Sequence, residues 1–295
     1  LPATLTPDYW AHQYDQQANQ VLCSVSDKQW TNGPDANIFG LEPHFGCCTA
    51  NMHQGWPKLA SSLWMGTEDG GLAAVAYAPC EVVHKIDGID VTITEETDYP
   101  FNETAGFSIK TAREVEFPLH LRIPGWCKEG SITLPDGTKE RGSGGTYVIL
   151  RRTWKDGDTI ALTLPMTLQY ERRYQGAVSI TRGPLVFSLH VDEEWKRIDG
   201  DEHYSDWEVY PKKSWNYAVS LNTENLDSSI KVIEDKVSDV PFSSVHPPVI
   251  MQIKGKKIPD WKIEDNRAGS FGRSPLPSKE PTEEKSAAES GKNGT

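Results

Sequence analysis

Leu119-His120-Leu121-Arg122-Ile123, stopped by Pro124-Gly125, decides the fold class. Its apolar side chains fall at every second position, the period of a strand with one buried face, and a turn dipeptide ends it. The same pattern recurs on both sides. Val91-Thr92-Ile93-Thr94 and Phe107-Ser108-Ile109-Lys110 alternate cleanly, and the apolar run Leu72-Ala73-Ala74-Val75-Ala76-Tyr77 ends before Pro79. Tyr147 to Leu150 leads to the turn signal Trp154-Lys155-Asp156-Gly157-Asp158, and Thr159 to Leu164 follows it. Many short strands with Gly and Pro punctuation predict an antiparallel sandwich. A second β region begins near Tyr174, where Val178-Ser179-Ile180-Thr181 and Leu185-Val186-Phe187-Ser188-Leu189 flank Arg182-Gly183-Pro184. Further strand-like text lies at Ala218 to Leu221, Ile230 to Ile233 and Val249 to Ile253.

The two ends differ from this middle. Up to about Thr67 the text is helical or irregular, and Met52, Trp56, Leu59 and Leu63 recur at helical spacing, with Pro57 expected to kink or break that helix. After about Ala268 almost no apolar residue remains, which predicts a disordered tail, since such text cannot offset its ordering entropy. The reading is therefore a mostly β chain with a helical N-terminal segment, divided at 1–70, 71–173, 174–267 and 268–295. Leu1 to Tyr9 lacks the basic and apolar regions of a signal peptide and reads as the middle of a domain, so the chain is expected to be a fragment. The compartment stays open between cytoplasmic and secreted. A net charge of −12 argues against a nucleic-acid partner, and no apolar run reaches membrane-spanning length. Oligomeric state is not legible.

Gly46-Cys47-Cys48-Thr49-Ala50-Asn51 is the stretch that carries chemistry. Five cysteines make no even disulfide framework, and adjacent cysteines rarely bridge each other. Two thiols at a helix start sit where backbone N–H groups favour the thiolate, which can ligate zinc or attack carbon. One zinc needs about two further ligands, and His44 is one candidate by spacing. The competing reading is that both thiols pack as small hydrophobes.

The run His44-Phe45-Gly46-Cys47-Cys48-Thr49-Ala50-Asn51-Met52-His53-Gln54-Gly55-Trp56-Pro57-Lys58 closely resembles the double-cysteine helix of the β-L-arabinofuranosidase-like glycoside hydrolases. Trp10 to Gln20, Leu121 to Trp126, Trp154 to Asp158, Thr181 to Leu185 and Ser214 to Tyr217 are similar to further segments of that family, and the likeness runs over about residues 1 to 265. The resemblance implies an (α/α)6 catalytic barrel, here a remnant in residues 1–70, followed by two antiparallel β-sandwich-like domains. It implies a retaining glycosidase with a zinc cofactor held by a Glu, a Cys and the cysteine pair. By position Cys47 is then nucleophile and zinc ligand, Cys48 a zinc ligand, and Tyr14 a sugar contact. The sequence departs from the family upstream: no Glu-x-Cys precedes Cys47, and Glu42 is the only Glu before it. The chain alone is therefore expected to be inactive and unable to hold zinc in the family geometry.

Gln13, Gln17 and Asn51 are candidates for sugar contact or helix capping, and His12 and His53 read as surface or satisfied core histidines. Trp126, Trp154 and Trp215 are expected to pack between sheets, and Glu95-Glu96 and Glu193-Glu194 to form solvated faces. The leading expectation is a carbohydrate-acting glycosidase. The alternative is a non-catalytic β-sandwich module that binds carbohydrate or supports a partner.

Overall fold

The computed structural model describes residues 5, 6, 8, 10–17, 20–41, 45–243, 245–269, 273 and 274. Glu42, His44 and the tail beyond residue 274 lie outside the described residues. Contacts divide the chain into two units, one of Gln54–Leu168 with Thr181–Val186, the other of Leu1–His53, Gln169–Ile180 and Phe187–Thr295. The chain is mostly β, as the alternation predicts, and no described helix is long and apolar enough to cross a membrane.

The first unit holds a sandwich of ten strands: β1 (Trp64–Gly66), β2 (Leu72–Ala74), β3 (Cys80–Ile86), β4 (Ile89–Thr97), β5 (Thr104–Thr111), β6 (Val115–Ile123), β7 (Glu129–Thr133), β8 (Lys139–Ser143), β9 (Thr146–Trp154) and β10 (Thr159–Thr163). One sheet runs β1-β2-β6-β9 and the other β3-β4-β5-β10-β7-β8. Both contribute to one core, in which Leu119, Leu121 and Ile123 from the first sheet join Ile93, Phe107, Ile132 and Leu162 from the second. Trp154 is fully buried there, as expected, and its Nε1–H donates to the Phe117 carbonyl at 3.0 Å, so its polar edge is satisfied.

Two expectations about this unit fail. The sandwich is not purely antiparallel, because β2 pairs with β6 in parallel, Leu72 opposite Leu119. All three β2 residues are buried, the condition under which parallel strands occur. Glu95 is not solvated either. The burial of β4 alternates, and Val91, Ile93 and Glu95 share its inner face while Glu96 stays exposed. The parity of the strand, not the charge of the pair, sets the burial.

The strands that follow along the chain are β11 (Leu168–Arg172), β12 (Val178–Arg182) and β13 (Leu185–Phe187), and then, in the other unit, β14 (Glu193–Gly200), β15 (Ser205–Pro211), β16 (Tyr217–Val219), β17 (Ile230–Glu234), β18 (Val249–Ile253), β19 (Gly255–Lys257), β20 (Ile263–Glu264) and β21 (Arg267–Ala268). From β14 onward these form separate antiparallel pairs, β14-β15, β16-β19, β17-β18 and β20-β21. The irregular N-terminal text is tied in by isolated bridges, Cys23 to Val209, Phe39 to Trp207 and Gln20 to Arg267.

The predicted single helix is two short ones, α1 (Gly46–Met52) and α2 (Gly55–Ala60). The interruption falls at His53–Gln54, three residues before Pro57, which occupies the first turn of α2 where its missing N–H is harmless. Neither helix buries a residue, and Trp56 and Leu59 are exposed. Leu63, the last member of the expected apolar stripe, is buried beyond the helix end.

Candidate functional site

Cys47 and Cys48 occupy the first turn of α1. Phe45 sits at its N-cap with no side-chain cap, and its carbonyl accepts from the Cys48 and Thr49 amides at 2.9 and 3.3 Å. The two sulfurs lie 3.5 Å apart as free thiols, Cys47 exposed and Cys48 half-buried. Tyr14 is brought to them: its ring stacks on Phe45 with centroids 3.9 Å apart and planes 2° from parallel, and its side chain is near enough to favour the Cys48 thiolate. The three residues singled out in the sequence are thus neighbours, although 33 positions separate Tyr14 from Cys47.

The charge state differs from the expectation. The Cys48 thiol is held above the ordinary cysteine range, first by its hydrogen bond with Cys47, then by desolvation and by repulsion from Cys47, with the Tyr14 hydrogen bond opposing. A thiol 3.5 Å away makes a second negative charge costly. Ionising Cys48 therefore calls for an added positive charge.

Beneath the pair, His12 is buried with both ring nitrogens engaged, Nδ1 with the Gly40 carbonyl at 3.0 Å and Nε2 with Thr49 Oγ1 at 3.3 Å. It is a satisfied core histidine that ties α1 to the N-terminal text. Asn51 neither caps the helix nor faces solvent freely, since its Nδ2 donates to the Cys47 carbonyl at 2.6 Å. Gln13 is buried, and its Nε2 donates to Cys23 Sγ at 3.0 Å and to the Asn37 carbonyl at 2.8 Å, which removes it as a sugar contact.

Sequence reading missed the network around Gln13. Gln20 Nε2 donates to Cys23 Sγ at 2.8 Å, and Asn37 Nδ2 donates to Gln20 Oε1 at 2.9 Å. Asn266 Nδ2 donates to Asn37 Oδ1 at 3.0 Å. Burial pushes the Cys23 thiol up to about 12, so it is an inert hydrogen-bond partner. No local signal marks Asn266, because its partner Asn37 is 229 residues away.

The sulfur pair suits a tetrahedral metal. Zinc–sulfur bonds of about 2.3 Å place two ligand sulfurs roughly 3.8 Å apart, close to the spacing here. The donor set stops at that pair: no group of three or more His, Cys, Asp or Glu side chains is placed to hold a metal among the described residues. The Glu193-Glu194 pair is exposed as expected, and Trp126 is half-buried against the sandwich core.

Residues 71–166 match the profile described as β-L-arabinofuranosidase, GH127 middle domain, and so cover every strand of the sandwich except β1. A solved structure described as a glycoside hydrolase is similar at 16% identity and a TM-score of 0.52, over 71% of this chain and 43% of that one. A GH127 β-L-arabinofuranosidase from Geobacillus stearothermophilus T6 is similar at 18% identity and a TM-score of 0.46, over 71% and 41% of the two chains. A GH127 β-arabinofuranosidase is similar at 16% identity and a TM-score of 0.48, over 72% and 41%. The chain thus spans about two fifths of the length of these structures. No curated protein matches it. These matches show a resemblance to the GH127 glycoside hydrolases, and the first structure shows a shared fold.

Proposed function

We propose that the chain is the C-terminal part of a retaining glycoside hydrolase of β-L-arabinofuranosidase type, in which Cys47 is the nucleophile. The carrying observation is the thiol pair 3.5 Å apart, with Tyr14 stacked on Phe45 at the N-cap of the same helix and the Cys47 thiol exposed. In this reading residues 1–70 end an (α/α)6 barrel, and 71–173 and 174–267 are its β domains. The Cys47 sulfur attacks the anomeric carbon while the glycosidic oxygen leaves with a proton from a general acid. The resulting thioglycosyl bond has inverted configuration, and water then displaces the thiolate and restores it. Tyr14 offers a hydroxyl toward the sugar while holding Cys48 in place.

Cys47 and Cys48 would hold two corners of a zinc site. Bound zinc supplies the positive charge that keeps both sulfurs ionised, against the mutual repulsion that otherwise raises Cys48. The missing third donor among the described residues favours a second reading, a non-catalytic carbohydrate-binding or structural module.

An epoxide configured as L-arabinofuranose tests the first reading. Incubated with the full chain, it should leave a sugar adduct on the Cys47-Cys48 peptide by mass spectrometry. The adduct should vanish in Cys47→Ser and persist in Cys48→Ser. Equal labelling of Cys80, or none at Cys47, overturns it.

A further inference from the structure

The unit that carries the thiol pair also contains a cavity of about 730 Å³, lined in part by Trp10 and Ala11. Its size falls among small-molecule sites, which span about 300–1,000 Å³. Four of its lining residues are aromatic: Trp10, Trp195 on β14, Tyr204 in the β14–β15 turn and Trp207 on β15. Trp10 is 60% exposed and Tyr204 58%, unusual for rings this large in a chain that buries Trp154 completely. They meet edge to face with centroids 6.4 Å apart, and Trp195 meets Trp207 in the same way at 6.3 Å.

The polar groups are placed in advance. Asp8 Oδ1 accepts from the Trp10 amide at 3.1 Å and fixes the turn that presents the indole. Asp201 Oδ1 accepts from the His203 and Tyr204 amides at 2.8 and 2.9 Å, which sets the turn carrying Glu202 and Tyr204 into the cavity wall. Among the described residues the lining contains no Lys or Arg, and His203 is its basic side chain.

We infer that this cavity binds a neutral oligosaccharide, as the subsite for the part of a glycan beyond the sugar offered to Cys47. Aromatic faces take the C–H side of sugar rings, and carboxylates accept from hydroxyls. The absence of Lys and Arg from the described lining disfavours phosphate, sulfate or uronate groups. A single quaternary ammonium needs rings converging face-on within about 6 Å, whereas both ring pairs here are edge to face. The cavity shares its framework with the thiol site. Leu41 lines it, and the Leu41 carbonyl accepts from Thr49 Oγ1 at 3.3 Å, two residues after Cys47. The connection to Cys47 rests on the glycosidase reading; saccharide binding in the cavity does not.

Tryptophan fluorescence and calorimetric titrations of the full chain test this, with arabino-, xylo- and cello-oligosaccharides as probes, and oligogalacturonate and choline chloride as controls. One neutral series should bind and change the emission. Trp10→Ala and Tyr204→Ala should each weaken it about tenfold, the loss of one ring contact. Trp10→Phe should retain most of the affinity. Melting temperatures should stay unchanged, since both rings are exposed. Binding of no neutral saccharide, tighter binding of choline or oligogalacturonate, or wild-type affinity in Trp10→Ala overturns the proposal. Cavity binding without epoxide labelling of Cys47 would sink the nucleophile reading alone.

Discussion

Glu95 illustrates how one residue changes meaning between chain and fold. It occupies the inner face of β4, where the Ala78 amide donates to its Oε1 at 3.1 Å. Burial pushes its carboxyl up to about 7. The folded protein therefore keeps a proton that the unfolded chain releases near the ordinary value of about 4.3. Stability from this group is full below that value and is lost as pH rises through the window to about 7. Glu95→Gln keeps the shape and the neutral state. Across pH 4.5 to 7.5 its melting temperature should gain steadily on the wild type, by fluorimetry in matched buffers; parallel curves would refute the assignment. The residue pair Glu95-Glu96 reads as charge, and only strand parity tells which of the two turns inward. Parity was available in Val91-Thr92-Ile93-Thr94, so the burial was legible and the charge concealed it.

At the scale of elements, β2 is the feature that alternation alone does not specify. Its apolar run reads as a buried strand, yet nothing local names β6 as a parallel partner. Gly71 shows what that pairing demands, because a Cβ built there would lie 1.9 Å from the Pro118 carbonyl oxygen. Backbone, not a flexible side chain, blocks the space. Gly71→Ala should cost about 1–3 kcal/mol by denaturant unfolding, the range for overpacking. A change within about half a kcal/mol would mean that the strands separate at no cost. The α1–α2 break makes the complementary point. The stripe Met52, Trp56, Leu59 and Leu63 fits one helix, yet the chain is interrupted at His53–Gln54: neither short helix buries a residue, only Leu63 beyond them is buried, and packing supplies most helix stability.

For the whole molecule, the decisive quantity is the number of donors that the fold brings to one point. Two thiols meet, and no third His, Cys, Asp or Glu joins them among the described residues. Tight zinc needs about four ligands. Titrated against a chelator of roughly nanomolar affinity, the full 295-residue chain should leave the zinc with the chelator. Stoichiometric retention by the chain, lost in Cys48→Ser, would show that further donors of this chain complete the site.

The sequence by itself determined the β class, six of the ten strands of the sandwich and the cysteine pair, because period and adjacency are local properties that survive without a fold. It also named Tyr14, through likeness to a known family and not through spacing. Tertiary structure alone decided that Tyr14 reaches Cys48, that Gln13 turns inward to Cys23, and that Trp10, Trp195 and Tyr204 share one cavity. Those pairings join residues tens to hundreds of positions apart. They form only when burial and backbone pairing close the intervening loops, and no window of sequence records that energy.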